Sequence, residues 1–90
     1  MATMIDFLIL VIVWEDEIYI LSGQERSILK KLRESSFYDY LKEDIAETSV
    51  RLSKLSYLED DLKTNPIDRQ RLQSKGWLFK FEKAKISKEH

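Results

Sequence analysis

Apolar and polar positions change rhythm along the chain, and each rhythm marks a different element. Phe7 to Trp14, FLILVIVW, is an unbroken apolar run dominated by valine, isoleucine and leucine. Its length and β-branched content predict a strand rather than a buried helix. Apolar residues at both parities further predict a central strand covered on two sides. After Glu15-Asp16-Glu17 comes a second run, Ile18-Tyr19-Ile20-Leu21, which predicts a hairpin partner joined across a short acidic turn.

The rhythm then turns helical. Ser22-Gly23-Gln24-Glu25 has the S-x-x-E spacing of a capping box, and a helix from Gln24 to Glu34 would bury Ile28, Leu29 and Leu32. Ser36-Phe37-Tyr38-Asp39 marks a second start of the same kind. From there Phe37, Leu41, Ile45, Thr48, Leu52, Leu55, Leu58 and Leu62 fall on one stripe at helical spacing. The stripe predicts one long amphipathic helix. Thr48-Ser49-Val50, three weak helix formers in a row, leaves a break at that point equally open.

Asn65-Pro66-Ile67-Asp68 is a helix start, with proline at the first turn, and Gly76 suits a C-terminal cap, so a short helix spans Pro66 to Lys75. In the strand expected from Trp77 to Lys83, Trp77, Phe79 and Phe81 share one face and Leu78, Lys80 and Glu82 the other. The expected fold is α+β. An N-terminal hairpin and a C-terminal strand form a three-stranded sheet with Phe7–Trp14 in the centre. Two or three helices, including the long amphipathic one, pack against it. Residues 1–84 are expected to form a single domain, with 85–90 a flexible basic tail.

Composition narrows the chemistry. The 90 residues are 43% hydrophobic and 34% charged, a globular balance. The absence of cysteine excludes disulfides, thiolate metal centres and a thiol nucleophile. The one histidine is His90, and two glycines are too few for a glycine-rich phosphate loop. Two acidic clusters, Glu43/Asp44/Glu47 and Glu59-Asp60-Asp61, have oxygen ligands in number, but such clusters are ordinarily the solvated faces of helices. No catalytic, cofactor or metal site is therefore expected, and the chain is not expected to be an enzyme. The eight apolar residues of Phe7–Trp14 are far short of the roughly 20 that span a membrane, and no basic segment precedes them. The expectation is a cytoplasmic protein with no membrane partner.

Charge is unevenly placed. Met1–Leu62 has 7 basic and 13 acidic residues, net −6, whereas Lys63–His90 has 8 basic and 3 acidic, net +5. Such asymmetry suits either a nucleic-acid footprint at the basic end or docking of one copy's basic end on another's acidic end.

Two segments, Leu21-Ser22-Gly23-Gln24-Glu25-Arg26-Ser27-Ile28-Leu29 and Asp44-Ile45-Ala46-Glu47, resemble the first helix and the second-helix turn of winged helix-turn-helix proteins, over residues 21–81. The resemblance implies a recognition helix from Val50 to Leu62 and a wing from Ile67 to Phe81 around Ser74-Lys75-Gly76. It implies nucleic-acid contacts through Lys54, Arg69, Arg71 and Lys75. The residues themselves favour another reading. The face opposite the leucine stripe presents Ser53, Lys54, Tyr57, Asp60 and Asp61, and its aspartates repel phosphate. A small protein-interaction or adaptor module, homodimeric or bound to another protein, is therefore expected first. Its candidate partner contacts are Tyr38, Tyr40 and Tyr57, which pair apolar area with a wet hydroxyl. A winged-helix nucleic-acid binder is the alternative.

Overall fold

The apolar run at the N-terminus forms the middle strand of a sheet, as its β-branched composition requires. In a computed structural model, which describes the backbone of residues 3–88 and the side chains of 7–83, the sheet is antiparallel in the order β2-β1-β3. Strand β1 is Thr3–Trp14, β2 is Glu17–Gly23 and β3 is Leu78–Lys88. Four helices lie between the second and third strands: α1 (Glu25–Glu34), α2 (Phe37–Ile45), α3 (Leu55–Thr64) and α4 (Pro66–Ser74). The fold is α+β, with the expected hairpin and C-terminal strand. None of the described helices is long and apolar enough to cross a membrane.

The hairpin turn is tighter than the three-residue acidic turn expected. Trp14 pairs directly with Glu17, leaving a two-residue loop in which Glu15 and Asp16 both have positive φ, 48° and 65°. That is the handedness whose twist matches the flanking strands, here imposed on two residues that prefer negative φ. Strand β3 runs past the expected end at Lys83, because β1 begins at Thr3 and supplies partners as far as Thr3↔Lys88. The expected basic tail thus overlaps β3 over 85–88, while residues 89 and 90 lie outside the described residues.

Helix α1 begins one residue later than expected, and Ser22 does not cap it. Ser22 and Gly23 still belong to β2, paired with Ile9 and Leu8, so Gln24 takes the N-cap position without a side-chain hydrogen bond. Ser36 does stand at the N-cap of α2, again without the capping bond. Helix α4 starts with proline at the first turn as expected, and Gly76 follows its end at φ 93°.

The single long helix does not form; α2 ends at Ile45 and α3 begins at Leu55, a gap that spans Thr48-Ser49-Val50, and four helices stand where two or three were expected. At the break, polar side chains replace the helical hydrogen bonds. The Thr48 hydroxyl donates to the Ile45 carbonyl at 2.7 Å and accepts from the Val50 N–H at 3.1 Å. The Ser49 N–H and hydroxyl both donate to the Asp68 carboxylate on α4. The Arg51 N–H donates to Asp61 on α3 at 3.0 Å. Serine and threonine compete with the helix in this way wherever such partners are in reach.

The stripe is buried despite the break. Phe37, Leu41 and Ile45 from α2 and Leu55, Leu58 and Leu62 from α3 join Ile28, Leu29 and Leu32 of α1 in one core. The sheet contributes Leu10, Ile12 and Leu21, with Trp77 just ahead of β3.

Candidate interaction surfaces

Antiparallel register assigns each sheet residue to a face, since directly opposed residues point the same way. Leu10 is opposed by Leu21 and Phe81, and Ile12 by Tyr19 and Phe79, so these residues form the inner face beneath the helices. Val11 is opposed by Ile20 and Lys80, Val13 by Ile18 and Leu78, and Ile9 by Ser22 and Glu82; these form the outer face. Every buried sheet residue lies on the inner face, and among the described residues no outer-face side chain is buried. The two-sided cover expected for β1 is therefore absent. The helices all pack on the inner face, and the described residues supply no second layer for the outer one.

The outer face is nonetheless apolar. Phe7, Ile9, Val11 and Val13 run along its centre half-buried by their neighbours. Beside them Ile18, Ile20 and Leu78 are 66%, 65% and 51% exposed. Polar groups lie at the β3 side of this face, where Lys80 and Glu82 form an ion pair at 3.0 Å. An apolar centre with charge at its margin is the anatomy of a protein interface.

The helical side of the same end of the sheet is built differently. Trp14, at the inner-face end of β1, stacks on Trp77 at 5.0 Å and on Tyr40 of α2 at 4.8 Å. The buried Trp77 donates its indole N–H to Asp44 at 2.6 Å. Lys75 then meets both Asp44, at 3.6 Å, and Glu47. Its hydrogen bond with Glu47, aided by the attraction of both carboxylates, raises the Lys75 ammonium above its ordinary value. Arg71 donates to the Glu47 carbonyl. These contacts fasten the C-terminal end of α2 to the α4–β3 junction. The acidic cluster Glu43/Asp44/Glu47 thus serves a latch in which two of its members hold Lys75. Glu59, buried in the other cluster, meets Lys63 and Lys83, each at 3.4 Å.

The three tyrosines are not brought together. Tyr40 is half exposed on the Trp14 stack, and Tyr38 lies partly buried under the Lys42 ammonium at 4.9 Å. Tyr57, on α3, is flanked by Arg51 at 4.5 Å and Lys54 at 5.3 Å. The segment that a wing would occupy, 67–81, holds most of α4 and the start of β3, Leu78 to Phe81. Lys54 stands at the N-cap of α3, Arg69 on α4, and Arg71 and Lys75 face the carboxyl groups and carbonyl of α2's C-terminal end. The outer-face patch includes none of the three tyrosines, and its signal lies in the strand pattern. Ile18 and Ile20 alternate with Tyr19 and Leu21, and only one parity of that strand can face a single helical layer. No protein-family model, curated protein or solved structure matches the chain.

Proposed function

We propose that this protein is a non-enzymatic protein–protein interaction module that self-associates through the outer face of its sheet. The observation carrying the reading is the uncovered apolar patch formed by Phe7, Ile9, Val11, Val13, Ile18, Ile20 and Leu78. A second copy is the natural cover, because two such faces stack as the layers of a sandwich about 10 Å apart. Three strands about 4.8 Å apart and eight residues of β1 at about 3.3 Å each give roughly 380 Å² per copy. That is below the ~800 Å² per partner of a stable complex, so the dimer is weak and concentration-dependent. The engagement of Arg71 and Lys75 with α2 supports this reading over phosphate binding, since cations already paired with carboxylates release fewer counterions from DNA.

Sedimentation velocity tests the proposal. The 10.7 kDa chain is expected to shift from monomer toward dimer between about 10 µM and 1 mM. Ile18→Lys combined with Ile20→Lys places two charges on the exposed patch and is expected to hold the chain monomeric over that range. A wild-type chain that stays monomeric up to about 1 mM overturns self-association.

A further inference from the structure

Where the inner face meets β3, the helical layer does not close over the sheet. A groove of about 300 Å³ remains between α3, α4 and β3, at the small end of ligand-pocket volumes. Its floor is apolar. Phe79 and Phe81 are only half-buried there, with Leu62, Leu72 and Trp77 behind them. The rim is cationic: Lys63 from α3, Arg69 from α4 and Lys80 from β3 all border the opening. Glu59 partly offsets Lys63, and Glu82 offsets Lys80, but Arg69 has no ion pair among the described residues.

We propose that this groove binds a small amphipathic monoanion, an aliphatic or aromatic tail ending in a carboxylate. The tail covers Phe79 and Phe81, which leave water as it enters. The carboxylate meets the Arg69 guanidinium, whose planar fork suits two parallel hydrogen bonds, with Lys63 adding charge. A neutral or cationic head gains nothing from this rim, so selectivity for the anion follows from charge complementarity. The groove opens at the β3 edge, where Leu78 and Lys80 of the outer face also border it, while Phe79, Phe81 and Arg69 that hold the ligand lie on the helical side.

Octanoate, below its micellar concentration, is a suitable probe, followed by amide chemical shifts of the full chain. Octanol and octyltrimethylammonium serve as matched controls. Saturable shifts confined to Phe79, Phe81, Leu72 and their neighbours are expected for octanoate, with the two controls binding at least about tenfold more weakly. Arg69→Gln, an exposed substitution that leaves the core intact, is expected to reduce octanoate affinity by about tenfold while the octanol response stays unchanged. Equal binding of all three probes overturns the proposal, as do shifts centred on Ile18 and Ile20, an Arg69→Gln response identical to wild type, or no saturation. Preference for an acidic peptide over octanoate overturns it as well.

Discussion

The two faces of the central strand have nearly the same composition and opposite fates. Leu10 and Ile12 point inward and are buried; Val11 and Val13 point outward and are only half-covered. The difference lies in what the rest of the chain can supply, not in the strand. Four short helices make one layer, and that layer closes over Leu10, Ile12, Leu21 and Trp77. An apolar outer face adds little to the stability of the single chain, whereas in association it becomes the part that gains most from removal of water.

Paired truncations across the strand give the largest expected difference. Ile12→Ala opens a cavity in a site with no exposure and is expected to destabilise by about 2–5 kcal/mol. Val11→Ala, next to it on the outer face, removes two methyl groups that are only partly buried and is expected to cost about 1 kcal/mol or less. Urea denaturation at low protein concentration measures both. Comparable losses would show that the outer face is covered within a single chain.

The hairpin is where both faces begin, and it offers a smaller effect of opposite sign. Glu15 and Asp16 sit in the left-handed region, which costs a residue with a side chain about 1–2 kcal/mol. Replacing them together, Glu15→Asn with Asp16→Gly, provides the pair that such a turn favours. The expected gain is about 1 kcal/mol in thermal or urea unfolding, with the register of Val11 and Ile20 unchanged. A loss of stability would mean that one of these acidic side chains contributes a contact that offsets its backbone strain.

Much of this architecture was legible in the residues. The β-branched run, its alternating partner, the Pro66 start and the Gly76 stop each act locally, so neighbouring residues suffice to identify them. The helix break was harder to place because α2 and α3 lean on the same core. Phe37, Leu41, Ile45, Leu55, Leu58 and Leu62 are all buried, so the periodicity carries across an interruption that only Thr48-Ser49-Val50 betrays. The decisive partners of that break, Asp61 and Asp68, are distant in sequence. The capping box at Ser22 failed for a related reason: sheet pairing with Ile9 engages the residue before the helix can use it. The tyrosines stand apart in the fold, Tyr38 and Tyr40 on α2 and Tyr57 on α3, and single residues of this kind do not outline a surface. The patch becomes visible only when strand parity is combined with the shortage of covering layers.

The last and smallest expected effect concerns how the helical layer is held at its break. Hydrogen bonds from the Ser49 hydroxyl and backbone N–H keep the Asp68 carboxyl below its ordinary value of 3.8. A carboxyl depressed in the folded state stabilises the fold above that ordinary value, and the contribution fades as pH falls through the lower folded value. Ser49→Ala removes the hydroxyl donor but leaves the N–H in place. The variant is therefore expected to unfold at slightly lower urea than wild type near neutral pH, with the gap narrowing as pH drops below 3.8. Lys75 titrates at the opposite extreme: its raised value gives stability below 10.5 that is lost in strong base, so it leaves the acid limb untouched. Adding Asp68→Asn to Ser49→Ala removes the titrating group, and the difference between Asp68→Asn and this double variant should then be independent of pH in acid. A gap between wild type and Ser49→Ala that stays constant down to acid unfolding would mean that Ser49 supports the break by geometry alone. The outer face, which has no part in the Ser49–Asp68 contact, should respond to none of these changes, and sedimentation of Ser49→Ala should show the same concentration dependence as wild type.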